Sequence, residues 1–277
     1  MVFGGMLLFL AAVVVGLAVL RGGQVTRRSA AFWASERGLT LTIENEPMVT
    51  GYLRTAGLLR RIGVVAGLVL PVLFAWALGL RPGSGWFGPG WIFAGYLVGA
   101  LYAEVSLRRP AGRRASATPR RLADYLRPSL LIGQWVLAGL VVAAATAALV
   151  TPGAGERLGM TLAPVVVVAA LGLVSAPLLV MTERWLVRRP QPVVSPSQLA
   201  ADDAIRSQSV QSIAASGMAA QVLLLAIPLV GLSGSDVAWL RWMVLPAMAC
   251  SVAAFFLCSH LGQLRWRVRR PGPMGVA

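Results

Sequence analysis

Residues 62–80 read IGVVAGLVLPVLFAWALGL, nineteen consecutive positions without a charged side chain. No feature of the chain restricts its fold more. The run is continuous rather than alternating, so it does not suit a strand with one wet face. It matches the roughly 20 residues that a helix needs to cross a bilayer. In lipid each backbone N–H and C=O must find its partner within the chain, which leaves the helix as the conformation open to such a segment.

Six further segments share this character, giving expected spans at about 2–20, 62–80, 90–107, 129–150, 160–182, 213–232 and 242–261. Hydrophobic residues make up 57% of the 277 positions and charged ones 13%, too apolar a balance for an ordinary soluble domain of this length. The expected fold is therefore an all-α integral membrane protein, a single polytopic domain of seven transmembrane helices. Prolines at 71, 164, 177, 228 and 246 do not argue against it, because neighbouring helices can satisfy the backbone groups that a membrane proline frees.

Charge orients the bundle. All 25 basic residues are arginine, and alternating topology leaves only Arg81, Arg157 and Arg241 opposite the other 22. Basic loops stay cytoplasmic, so this division predicts an N-terminus outside and a C-terminus inside. The first run, MVFGGMLLFLAAVVVGLAVLRGG, has no basic residues before it and no clear small-x-small cleavage site, and reads as a retained span. Trp76, Trp86, Trp91, Trp239 and Trp242 gather toward the outer side, with Trp135, Trp185 and Trp266 toward the inner one, as interfacial belts require. The net charge of +15 then records insertion and attraction to anionic lipid headgroups, not nucleic-acid binding. A multi-pass location in the cell membrane follows.

LRRP at 107–110 and VRRP at 187–190 and 268–271 end three stretches alike. Each follows a segment with helix-start signals: Asn45 with Pro47, Thr118 with Pro119, and Ser195 with Pro196. YLR at 52–54 recurs at 125–127. Three repeated two-helix hairpins after the first span are the expectation, each with a capped inner helix, related by an axis along the membrane normal. Residues 21–61 form the longest inner connection. TRRSAAFWASERG suits a short helix stopped at Gly38. Along 45–61, Met48, Val49, Tyr52, Leu53, Ala56 and Leu59 keep helical spacing among arginines. That pattern predicts an interfacial helix lying on the lipid, or a docking surface for a soluble partner.

The absent residues exclude chemistry. Without lysine there is no Schiff-base chemistry of the retinal or pyridoxal kind and no phosphate-binding GxxxxGK[ST] loop. One histidine and no Cys-x-x-Cys leave no ordinary zinc site, and no cofactor is required. Cys250 and Cys258, two turns apart on a helix, stand too far apart for a disulfide. The candidate intramembrane polar residues are Glu104, Glu183, His260, Gln134 and Gln221. Glu104, Glu183 and His260 fall near inner span ends, four or five residues before Arg108, Arg188 and Arg265. That depth predicts acids facing headgroups or those arginines with little burial. Gln134 and Gln221 read as ties between helices. GVVAG at 63–67 and GYLVG at 95–99 offer close backbone approach. The functional expectation is a non-catalytic membrane subunit or scaffold acting with a membrane or cytoplasmic partner. The alternative is a permease for an apolar or lipid-like solute, alone or driven by a separate ATPase. A lipid-modifying enzyme is a third class, needing Glu104, Glu183 or His260 to converge with a nucleophile.

Overall fold

The computed structural model describes residues 25–77, 90–106, 121–154, 163–189 and 195–232, together with residue 253. The expected spans 2–20 and 242–261, apart from Ala253, lie outside them, as do His260, both cysteines, Thr118 and Pro119. Among the described residues the chain is all-helical. Its elements are α1 (Arg27–Glu36), α2 (Glu46–Ala77), α3 (Gly90–Ser106), a 3-10 turn (Leu122–Asp124), α4 (Pro128–Val150), α5 (Ala163–Arg188) and α6 (Pro196–Leu232). Among the described residues three stretches are long and apolar enough to cross a membrane: Pro128–Val150, Val165–Arg188 and Pro196–Leu229.

Local chemistry sets most boundaries. Thr26 accepts the Ser29 N–H at 3.2 Å to open α1. Gly38, at φ 60°, closes it as expected, with the Leu39 N–H returning to the Ala34 carbonyl. Asn45 precedes α2, but its side chain folds the loop behind it instead of capping the helix, accepting from Thr42 N–H and donating to the Thr40 carbonyl. Pro196 takes the first position of α6.

The two long helices depart from expectation. α2 runs 32 residues from Glu46 through the apolar stretch without a break, and α6 runs 37 from Pro196. Residues 45–61 therefore do not form a separate helix: from Glu46 they are the first half of α2. Between Pro47 and Ile62 no residue interrupts the helix, so it continues straight into the apolar segment. The 16 residues before Ile62 project about 24 Å beyond it, and those before Ile213 in α6 project about as far. Their apolar faces have protein partners: Val49, Tyr52 and Ala56 of α2 pack with Ala30, Trp33 and Ala34 of α1, Ala103 of α3, and Ala201 and Ala204 of α6. We call this layer the head. The second hairpin has no such extension in its described part. Pro128 holds Arg127 extended, at φ −68° and ψ 138°, so only a 3-10 turn precedes α4.

α2 and α3 meet mainly each other, whereas α4, α5 and α6 form a three-helix group, with α6 also touching α3. The first contact is the one anticipated from GVVAG and GYLVG. Gly63 and Gly67 interlock with Gly95 and Gly99, so closely that a Cβ on Gly95 would stand 2.7 Å from Gly67 Cα. α6 is the central element. From Arg206 to Gly217 every residue except Gln208 is buried. Val210, Ile213, Ala214 and Ala215 pack with Leu130 of α4 and Leu179, Leu186 and Val187 of α5. Large apolar side chains such as Val98, Ile132, Leu173 and Met181 face outward. A chain that exposes aliphatic faces while burying Glu104, Gln134, Glu183 and Gln221 is arranged for an apolar solvent.

Candidate functional site: two buried acids beside α6

Glu104 and Glu183 both have zero exposure. The expectation that they face headgroups or their sequence-neighbouring arginines with little burial is corrected. On a returning helix, positions four or five residues before the arginines can fall on the inward stripe, and here both do. His260, the third ionisable candidate, lies outside the described residues.

Glu104 stands on α3 at the level of the head. Its Oε1 accepts from Arg60 at 2.9 Å and from the Tyr52 hydroxyl at 3.2 Å, and its Oε2 accepts from Ser209 at 2.7 Å. Tyr52 and Arg60 are eight residues apart on one face of α2, and Ser209 comes from α6, so three helices converge on one carboxylate. Burial, and next the Glu104 charge, push the Tyr52 phenol well above its ordinary pKa, keeping it a neutral donor. The network extends through Arg60 to Ser212 at 3.3 Å and from Gln208 to Ser212 at 3.0 Å. Arg37 of the α1–α2 connection donates to Gln208 and lies 4.3 Å over the Trp33 ring. Arg60 Nε finds no hydrogen-bond partner among the described residues, but the carboxylate itself is held from three directions, and such a buried network rigidifies what it joins. Here it fastens α1, α2, α3 and α6.

Glu183 differs in kind. On α5 it accepts from Gln134 Nε2 of α4 at 2.6 Å. Neither Glu183 Oε2 nor Gln134 Oε1 has a hydrogen-bond partner among the described residues. Gln221 of α6 donates to Ser175 of α5 at 2.9 Å, and its own carbonyl oxygen is likewise unpartnered. Both glutamines thus tie pairs of helices together.

Two further contacts fasten helix ends near the head. Arg206 of α6, 6% exposed, donates to the carbonyls of Leu186, Val187 and Arg189 at 2.7–3.0 Å and to Asp202 at 2.9 Å. It closes the C-terminal end of α5, where the unpaired carbonyls and the helix dipole both favour a cation. Glu44 accepts from the Ser195 and Ser197 hydroxyls at 2.7 and 2.6 Å, joining the loop before α2 to the start of α6. Those two bonds hold its carboxyl below the ordinary pKa.

Sequence reasoning missed Tyr52, Arg60, Ser209 and Arg206. One signal was present: RSQSVQS at 206–212 places six polar residues around Val210 directly before an apolar run, with no charge after Arg206. A solvated helix surface would carry more charge. Among the described residues no group of three or more His, Cys, Asp or Glu could hold a metal. No protein-family model matches the chain, and no curated protein or solved structure matches it.

Proposed function

We propose that this chain is a seven-span subunit of the cell membrane, N-terminus outside and C-terminus cytoplasmic, with no catalysis of its own. Its head is the docking surface for a partner protein, and its inner arginines rest against anionic headgroups. The observation that carries this reading is the continuity of α2 and α6 from the apolar bundle into the head. A surface mounted on two uninterrupted helices, fastened by the Glu104 network, transmits force and position with little give. Phe32 and Ile43 are 65% and 87% exposed on it, large apolar side chains open to a partner.

Purification of the tagged full-length protein from its native membrane, wild type against Phe32→Glu and Ile43→Glu, tests the reading. A stoichiometric partner lost from the variants at unchanged membrane abundance supports it. An identical set of companions in all three preparations refutes the head as the docking surface. The orientation is tested separately: cysteines at Ser84 and Ser235 should react with an impermeant reagent added to intact cells, and one at Ala115 should not.

A permease for an apolar or lipid-like solute, alone or with a separate ATPase, is the second reading. Pro177 within α5, six residues before the buried Glu183, favours it, since a proline beside a buried acid suits moving helices. Reconstituted vesicles that fail to move a fluorescent lipid between leaflets, with or without the partner, would remove it. The hairpin repeat is kept as part of the proposal. Both YLR tyrosines are buried, and each donates to an acid: Tyr52 to Glu104, and Tyr125 to Asp203 at 3.3 Å.

A further inference from the structure

The two buried acids are neutralised differently, and the difference points to a ligand. Glu104 has an arginine, a phenol and a hydroxyl. Glu183, equally buried, has a single amide from Gln134, and one oxygen on each of the two side chains finds no partner among the described residues. Toward α6, the Ser216 hydroxyl is also unpartnered.

No positive charge among the described residues completes this set. α4 carries no titratable residue. On α6, Arg206 is committed to three carbonyls and Asp202, while Asp203 accepts from Tyr125. In the 3-10 turn, Asp124 accepts from the Arg121 N–H. Arg184 and Arg188, on α5 itself, are exposed. A buried carboxylate without a counter-charge is so unfavourable that an apolar side chain of similar volume would serve packing better. The groups left open are oxygen atoms, which suit hard cations, not soft metals. Among the described residues no second carboxylate is in contact with the first, so a single positive charge balances the site.

We propose that Glu183 and Gln134 form an intramembrane binding site for a small exchangeable cation, a proton or an alkali-metal ion. Binding is association alone: the carboxylate takes up the cation as an O–H bond or as an oxygen–metal contact, and the pair becomes neutral. Glu183 lies five residues before the end of α5, about 8 Å along the axis, so the cation enters from the inner side. The side named depends on the orientation proposed above; the site does not.

The test uses the purified full-length protein in lipid nanodiscs. Its thermal midpoint is followed in sodium chloride against N-methylglucamine chloride of equal ionic strength, and then across neutral pH without alkali ions. Because a ligand that binds the folded state raises the midpoint with concentration, the wild type should respond to sodium, to acidification or to both, and Glu183→Gln should lose that response. A sodium response identifies the alkali ion as ligand; a response to pH alone identifies the proton. A flat wild type, or a Glu183→Gln variant that responds like it, overturns the site and leaves the pair a tie between helices. Should Glu183→Gln fail to fold, Gln134→Leu removes the second oxygen and keeps the acid. If the ligand is an alkali ion, this should raise its half-saturating concentration tenfold or more; if it is the proton, loss of the Gln134 N–H donor should displace the response along the pH axis. An unchanged value is equally fatal to the proposal.

Discussion

Replacing Gly95 with alanine sets two known effects against each other. In an open helix position the substitution gains about 1 kcal/mol, because alanine is the better helix former. At Gly95 the added Cβ would overlap the Gly63 carbonyl and stand 2.7 Å from Gly67 Cα, against ordinary contacts of 3.4–4 Å. The obstructing atoms are backbone, so no side chain can swing aside. α2 and α3 must part by at least 0.7 Å, the difference between 3.4 and 2.7 Å. A gap of that size forfeits roughly a quarter to a half of each contact along the seam, and it draws Arg60 and Tyr52 away from Glu104. Overpacking costs about 1–3 kcal/mol where neighbours can adjust, and the upper figure applies here. The net expectation is a loss of about 2 kcal/mol. At Gly139 of α4, on an exposed face, an added Cβ would meet nothing within 4 Å, so Gly139→Ala should gain up to about 1 kcal/mol. The two variants should thus differ by about 3 kcal/mol, roughly a hundredfold in the unfolding equilibrium. Reversible unfolding in mixed micelles, followed by far-ultraviolet circular dichroism, reads this difference directly. Equal stabilities for the two variants would refute the interlock.

Glu104→Gln leaves Arg60 without its counter-charge. It should cost about 2–3 kcal/mol, below the full range for breaking a buried pair because the Arg60 side chain keeps 25% exposure. The double variant with Arg60→Gln should recover part of that loss in the same unfolding assay. Arg206→Gln uncovers the α5 carbonyls and leaves Asp202 unpaired, with an expected cost of about 3 kcal/mol and faster hydrogen exchange at Leu186 and Val187. Glu44 should make attachment of the α2 loop depend on acid. Its folded pKa is lowered, so its contribution is complete above the ordinary carboxylate range and disappears as pH falls through that range to the lowered value. Cross-linking between positions 43 and 198 should weaken on acidification in the wild type, and a Glu44→Gln variant that keeps the wild-type pH response would refute this assignment.

Much of the helical layout was legible because its causes are local. Long apolar runs fix where α4 and α5 lie, Gly38 and Pro196 fix helix ends, and two Gly-x-x-x-Gly motifs announce the α2–α3 seam. The direction of Glu104 and Glu183 was not legible. A helix turns 100° per residue, so depth along the axis leaves the facing side undetermined, and the arginines nearby in sequence are not those nearby in space. Arg60 lies 44 residues before Glu104. The setting of 45–61 escapes the sequence for a similar reason. An amphipathic pattern announces one apolar face, and whether lipid or protein covers it depends on α1 and α6, whose positions are not encoded in that segment.

α6 joins these observations into one mechanical argument. Its first half lies in the head, where Ser209 and Gln208 belong to the Glu104 network. Its middle and second half pack on α5 beside Glu183, with Gly217 pressed against Leu179 and Gln221 bonded to Ser175. Under the proposed function, a partner on the head and a cation at Glu183 would therefore act on opposite portions of one uninterrupted helix. Neither can shift the other by proximity alone; each must bind one position of α6 more tightly than another. If such positions exist, coupling is reciprocal: cation occupancy changes partner affinity by the same factor that the partner changes cation affinity. A partner affinity that stays constant across the cation titration, in a protein that binds both, would mean that α6 is a fixed post and that head and site work independently.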